Sequence, residues 1–223
     1  MKTKLHRLLL LGILIFAGSQ SSWAGTLIIQ NLTADELAGY GLANSSGTLI
    51  PGNVTNNVRA GYFSISDSEV LNLWNAGNLS ALNTSFVQFG QFTSMQDWDA
   101  GYNGLFQNSV VQFADPFEGQ NIYLYISNGS DFTSTSAEYL IYKFTGTFTM
   151  DPFNGEQLLG SSPGSLLVGG YNNFQFDYEL GAGALPAFNT VSAVPEPGTV
   201  GLIGIGLAAV LWRMRKRTRV SVA

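Results

Sequence analysis

The sequence predicts a mainly β domain, an antiparallel β-sandwich of jelly-roll-like type with one short helix. Three observations lead to this prediction. Several short segments alternate side chains at the strand period of two. Turn-forming pairs such as Asn128-Gly129 and Pro163-Gly164 separate these segments. Charged residues make up only 11% of the chain, whereas glycine is abundant, with 26 residues, and this composition favours a secreted all-β domain over a helical one.

The strand period is clearest in three stretches. Residues 122–126 place Ile or Leu on one face and two tyrosines on the other. Residues 139–144 alternate in the same way, and residues 174–180 carry an apolar or aromatic side chain at every even position. Shorter candidates are residues 27–30, 59–66, 86–92, 110–113 and 166–168. About eight short strands divided by Gly and Asn turns are typical of an antiparallel sandwich.

One helix is expected within this pattern. The tetrapeptide Ser-Asp-Ser-Glu fits a capping box, with Ser66 as the N-cap and Glu69 reaching back to the backbone. Val70 and Trp74 then fall on one helical face, and Gly77 supplies a stop signal. The sequence therefore predicts a short helix that packs Trp74 against a sheet.

The first 24 residues have the three parts of a secretory signal peptide. Lys2, Lys4 and Arg7 precede an apolar stretch that is too short to cross a bilayer comfortably. Ser22 and Ala24 then supply small residues at the two positions that a signal peptidase reads. We predict export through the Sec translocon and cleavage after Ala24, and a retained N-terminal anchor is the alternative.

The C-terminal region predicts a weak membrane segment. Residues 181–194 are rich in Gly, Ala and Pro, and they read as a linker behind a β-rich domain of residues 25–180. The uncharged run 199–212 would form a transmembrane helix of about 21 Å, well short of the ~30 Å hydrocarbon core. The basic cluster behind it would stay in the cytoplasm and leave the domain outside. This cluster consists of Arg213, Arg215, Lys216, Arg217 and Arg219.

The order of these C-terminal parts resembles the PEP-CTERM sorting signal of Gram-negative bacteria. The motif reads Val194, Pro195, Glu196, Pro197 and Gly198, and the tail as a whole spans residues 195–219. The resemblance implies recognition by an exosortase, an integral-membrane cysteine protease that cuts near the Pro-Glu-Pro and releases or transfers the protein. It also implies an association with exopolysaccharide and biofilm. The two prolines suit such a role because they keep the backbone extended.

The charge distribution argues against several classes of function. Between residues 25 and 194 only Arg59 and Lys143 are basic, against fourteen acidic residues, which gives a net charge of −12. Because phosphate backbones repel such a domain, we expect no nucleic-acid partner. The chain has no cysteine, and its one histidine, His6, lies in the leader. A mature chain without His or Cys cannot use a Ser-His-Asp or Cys-His mechanism, so we expect no catalysis and no cofactor.

One polar loop resembles the start of a calcium-binding loop. Asp97, Asp99 and Asn103 alternate there, but the EF-hand pattern requires Gly at its sixth position and Glu at its twelfth. This chain has Tyr102 and Asn108 at those positions. The sequence therefore predicts a polar loop and no metal site, and a looser calcium site is the alternative.

Three functions follow as hypotheses. The first is a non-catalytic structural or adhesive component of the cell surface or extracellular matrix. The second is a carbohydrate-binding module for an extracellular polysaccharide, which requires aromatic rings on an outward face, with Tyr123, Tyr125, Tyr139, Trp98 and Tyr102 as candidates. Burial of the sheet tyrosines is the more expected arrangement. The third is a glycan-active enzyme, which requires two facing carboxylates in an open groove.

Overall fold

A computed structural model describes residues 24–31, 40–91, 103–113, 116–149, 156–159, 162–177 and 184–193. Within these ranges the chain forms twelve strands and two helices. The strands are β1 Ala24–Gln30, β2 Gly41–Ala43, β3 Val58–Phe63, β4 Phe86–Gln88, β5 Gln107–Phe113, β6 Asn121–Ser127, β7 Glu138–Thr147, β8 Glu156–Leu158, β9 Gly164–Val168, β10 Gly170–Asp177, β11 Ala184–Asn189 and β12 Val191–Ser192. The helices are α1 Asp67–Asn75 and α2 Leu79–Ser85. The prediction of a mainly β domain with antiparallel sheets is confirmed.

The largest sheet is built around the antiparallel pair of β6 and β7. Its strand order is β12-β7-β6-β3-β4, and β9 pairs with β7 as well. Two smaller sheets have the orders β5-β1-β8 and β10-β11-β2. The contacts of β1 with β8 and of β11 with β2 are parallel, and the other strand pairs in the described ranges are antiparallel.

One face of the large sheet packs against the two smaller sheets. Leu124 of β6 and Leu140 of β7 are fully buried there, in one cluster with Leu27 of β1. Phe188 of β11 belongs to the same cluster, and its ring lies 5.7 Å from that of Tyr142 on β7. Burial of these side chains stabilises the packing of the three sheets around a shared apolar core.

The opposite face of the large sheet is also apolar, and helices α1 and α2 cover it. Val70 and Trp74 of α1 and Leu82 of α2 are buried in this second cluster. The rings of Trp74 and Tyr139 meet edge to face at 5.8 Å. The predicted packing of Trp74 on a sheet is confirmed, and so is the alternation of residues 122–126 and 139–144 between two faces.

The start and the end of α1 agree with the sequence. The Ser66 hydroxyl accepts from the Glu69 N–H at 3.3 Å, and Glu69 Oε2 accepts from the Ser66 N–H at 2.9 Å, which completes the capping box. The helix ends before Gly77, whose φ of 65° is left-handed. The Asn78 side chain then caps α2. The prediction of a single helix was wrong, because α2 follows at once.

No helix within these ranges has the length and apolar character needed to cross a membrane. Residues 1–23 of the predicted signal peptide and the predicted tail at residues 195–219 lie outside the described residues, whereas Ala24, the last residue of that predicted peptide, begins β1 and pairs with Phe113.

The last described residues correct the predicted linker at residues 181–194. Residues 184–189 form β11, which pairs with β10 and β2, and residues 191–192 form β12, which pairs with β7. Ala193 follows and is only 3% exposed. The Gly, Ala and Pro content is typical of a linker, but partners from distant strands supply the hydrogen bonds and the burial that make this stretch part of the domain.

Two strands leave the large sheet and continue in a smaller one. β9 pairs with β7 and passes into β10 at Gly169, whose φ is 124°. β12 pairs with β7 and is preceded, across Thr190, by β11. β10 and β11 pair with each other, and the pair nearest this corner is Gly170 opposite Asn189. The corner at Gly169 and Thr190 therefore links the two layers covalently.

A substitution at this corner tests its role. A Cβ added at Gly169 would lie 2.9 Å from the Asn189 carbonyl oxygen, and the positive φ is strained for alanine. Gly169→Ala is therefore expected to lower the free energy of unfolding by about 1–3 kcal/mol, measured by urea denaturation of residues 25–194. Gly170→Ala is the matched control, because a Cβ at Gly170 meets nothing within 4 Å. Equal stability of the two variants would contradict the constraint.

Candidate functional site

A polar groove of about 520 Å³ opens where α1 begins. β3 forms one wall and leads directly into the N-cap of α1, and the starting end of β6 forms another. The β6–β7 register shifts between Asn121 and Tyr123, and such irregularities redirect side chains at the edges of sheets. The polar groups of the groove are those of Ser64, Ser66, Asp67, Gln120, Asn121 and Lys143.

Asp67 lies at the centre of this groove and is held by two donors. Lys143 Nζ lies 2.7 Å from Asp67 Oδ2, and the Tyr123 hydroxyl donates to Asp67 Oδ1 at 2.5 Å. Tyr123 and Lys143 are cross-strand partners on β6 and β7, and the Lys143 ammonium lies 5.5 Å from the Tyr123 ring centre. Asp67 follows the N-cap, so the start of α1 brings its carboxylate to the pair.

The ionisation of this triad reflects its contacts. Partial burial disfavours the charge on Asp67, but the hydrogen bonds from Lys143 and Tyr123 outweigh it and lower the pKa of Asp67. The hydrogen bond to Asp67 likewise raises the pKa of Lys143. Burial, followed by the nearby Asp67, raises the pKa of Tyr123 to about 12. At neutral pH the triad is an ion pair beside a neutral phenol, with no net charge.

This arrangement suits hydrogen bonding to a neutral polar ligand. The side chains of Asp67 and Lys143 are 37% and 25% exposed, so both still face solvent. An anchored carboxylate accepts from hydroxyls, an ammonium donates to oxygens, and the amides of Gln120 and Asn121 do both. Among the described residues that line the groove, Asp67 is the one carboxylate, whereas glycoside hydrolysis requires a facing pair. Among the described residues, no group of three His, Cys, Asp or Glu side chains could hold a metal ion.

The aromatic rings proposed for sugar stacking are placed differently. Tyr123, Tyr125 and Tyr139 are buried under the helices, so an outward face of these tyrosines is excluded. Tyr171 on β10 is 62% exposed, and it is the one exposed large hydrophobic residue among those whose burial the structure describes. Its ring lies 4.7 Å from the Phe188 ring. One exposed aromatic residue, Tyr171, thus lies on the small sheet, away from the predicted residues, and it packs on the buried Phe188.

Other predicted site residues lie mainly outside the described ranges. This group consists of Asp97, Trp98, Asp99 and Tyr102 of the polar loop, together with Ser22 of the predicted cleavage site. Asn103 is described, and its side chain accepts from the Gly52 N–H at 2.9 Å. This contact fits the default prediction of a polar loop.

The sorting motif begins directly after the last residue that the structure describes, Ala193. Its predicted residues, Val194, Pro195, Glu196, Pro197 and Gly198, lie outside the described ranges, as does the basic cluster. Ala193, the residue directly before them, is buried in the helix-side core. The motif is therefore joined to the domain without the predicted spacer.

The groove was missed by the sequence analysis. Asp67 and Lys143 are 76 residues apart, and no local pattern links them. The sequence did contain a signal for an ion pair, since Lys143 is one of only two basic residues between residues 25 and 194. A cation in so acidic a domain has many carboxylates with which it could pair.

Comparison with known families identifies the C-terminal segment. Residues 193–216 match the model of the PEP-CTERM protein-sorting motif, which confirms the resemblance read from the Pro-Glu-Pro, the apolar run and the basic cluster. The motif implies export, a membrane-anchored sorting signal and exosortase processing. No curated protein and no solved structure matches the chain.

The triad makes a specific prediction for pH dependence. Lys143→Met removes a donor and a cation from Asp67, so the pKa of Asp67 should rise toward its usual value of about 3.9. A lowered folded-state pKa contributes stability above the unfolded value that is lost as pH falls through the folded one. The stability difference between wild type and variant should therefore be present at about pH 6 and shrink below about pH 4.

Urea unfolding at several pH values measures this difference, and NMR titration of the Asp67 carboxyl carbon reports the pKa directly. Lys143→Arg keeps the cation and is the control. An Asp67 pKa that is unchanged in Lys143→Met would contradict the arrangement.

Proposed function

Because the chain carries a PEP-CTERM sorting motif, we propose that it is an exported, exosortase-processed protein of the cell surface or extracellular matrix. In this proposal the domain has a structural or adhesive role, is associated with exopolysaccharide and biofilm, and has no catalytic activity. It is anchored only transiently in the inner membrane before processing. The observation that carries the proposal is the sorting motif itself, whose match begins at Ala193, the last residue that the structure describes.

The chemistry of the domain supports a non-catalytic role. The mature sequence contains no His and no Cys, which are the usual general bases and nucleophiles. Both internal basic residues already have structural partners. Lys143 pairs with Asp67, and the Arg59 guanidinium lies 3.8 Å from the centre of the Phe132 ring. Among the described residues that line the Asp67 groove, a ligand can therefore reach hydrogen-bonding groups that include one carboxylate.

The processing claim predicts the mature C-terminus. In native cells that have an exosortase, the mature protein should lack the apolar run and the basic cluster, as measured by intact-mass spectrometry. Pro195→Ala is expected to accumulate the longer form, because it removes a proline that holds the motif extended. Pro186→Ala, a change inside β11, is the matched control for loss of a proline. An intact C-terminus at Ala223 in wild type would contradict the proposal.

A carbohydrate-binding module is the second candidate function, and the Asp67 groove favours it. Saccharides offer neutral hydroxyl groups, which match a carboxylate, an ammonium and amides held in a concave site. The ion pair leaves the groove without net charge, and the domain around it is strongly acidic. Neutral saccharides would therefore bind in preference to uronates, which the domain repels.

A glycan array tests this candidate with residues 25–194. Wild type is expected to bind neutral oligosaccharides, and Asp67→Asn should lose about tenfold or more in affinity, because the anchored acceptor and its pairing with Lys143 are removed. Glu118→Gln, an exposed acid before β6, serves as the charge-matched control. Loss of binding in Tyr171→Ala instead would move the site to the small sheet, and no binding to any glycan would exclude the module.

A further inference from the structure

The folded domain holds the first residue of its own sorting motif. The motif match begins at Ala193, whose side chain is 3% exposed and packs in the cluster beneath the helices. β12 comes immediately before it and is paired with β7, Val191 opposite Tyr139 and Ser192 opposite Glu138. The start of the recognised segment is therefore part of the sheet and its core.

Hydrogen bonds of Thr190, the residue before β12, hold this part of the chain in place as well. The Thr190 N–H donates to the Ala43 carbonyl at 2.8 Å, and the Thr190 hydroxyl donates to Glu138 Oε2 at 2.8 Å. Glu138 also accepts from the N–H of Ser45 at 2.7 Å and from its hydroxyl. Ser45, Glu138 and Thr190, here called the C-terminal clamp, join the last strand to β7 and to the loop after β2.

Covalent geometry then restricts where the motif can be. Pro195 is two residues beyond Ala193, so it cannot be more than ~7 Å from it, and the apolar run at residue 199 starts within ~22 Å. A domain of roughly 170 residues has a radius of gyration of about 15 Å. If the apolar run is anchored in the membrane, this length limit keeps the described domain close to the bilayer.

We propose that the C-terminal clamp and β12 shield the start of the sorting motif, and that exosortase processing requires β12 to separate from β7. The inference rests on the proposed processing. A protease binds its peptide as an extended segment through backbone groups. The backbone of β12 is already paired with β7, and the side chain of Ala193 is buried. Because only two residue pairs join β12 to β7, local opening can separate β12 from the sheet without unfolding the domain.

A disulfide lock tests the proposal directly, because the full chain contains no native cysteine that could interfere. Ser192 and Glu138 face each other across the ladder, and the exported compartment favours oxidation. The Ser192→Cys, Glu138→Cys double variant is expected to accumulate as the full-length chain in native cells, and added reductant should restore processing. Each single variant is a control and should be processed. A chain with a verified disulfide that is processed at the wild-type rate would overturn the proposal.

A second variant acts in the opposite direction and does not depend on the lock. Thr190→Val keeps the buried shape and removes the hydroxyl from the clamp, so processing should become several-fold faster in pulse-chase measurements. Thr84→Val is the matched control, because its hydroxyl bonds only to Ser80 within α2. An unchanged rate in Thr190→Val would also overturn the proposal. If wild type itself is not processed, the proposed function fails instead, so the two failures are distinguishable.

Discussion

The large sheet is apolar on both faces, and this constraint determines the rest of the domain. β6 and β7 alternate two sets of buried side chains, Leu124 and Leu140 on one side and Tyr125 and Tyr139 on the other. A sheet with two apolar faces must be covered twice to be stable in water. The smaller sheets cover the first face and the helix pair covers the second. The three-layer arrangement is therefore a consequence of the β6–β7 side-chain pattern.

The same constraint explains where the few charges of the domain lie. On the helix side each internal cation stands opposite a tyrosine in the strand register, Arg59 beside Tyr125 and Lys143 beside Tyr123. Arg59 lies inside the layer, where burial lowers its pKa and aromatic rings offset the cost. Lys143 lies at the rim, where α1 begins, and Asp67 reaches it. Both residues line the groove that opens where α1 begins.

The sequence was sufficient to predict local features, such as strands and a helix cap. It was not sufficient to predict which elements pack or pair with one another. The period of two assigned Tyr123 and Tyr125 to a common face, but periodicity does not tell a solvent-facing set of tyrosines from one covered by helices. The capping box identified α1 because its signals are contiguous, whereas α2 is a short Ser-, Thr- and Asn-containing segment of weak propensity. β11 and β12 resemble a linker in composition and become strands only through pairing with β10 and β7. The contact between Asp67 and Lys143 likewise depends on the register of the sheet.

The outer edge of β7 connects the fold to the sorting tail. β9 and β12 occupy this edge one after the other, and an uncovered edge would present unpaired backbone groups that promote aggregation. A cut on the N-terminal side of Val191 would remove β12 and leave part of that edge open. A cut on the C-terminal side of Ala193 leaves β12, Ala193 and the C-terminal clamp in place. Because an open edge promotes aggregation, a product cut beyond Ala193 would be the more stable one, in agreement with a Pro-Glu-Pro at residues 195–197, beyond the last described strand.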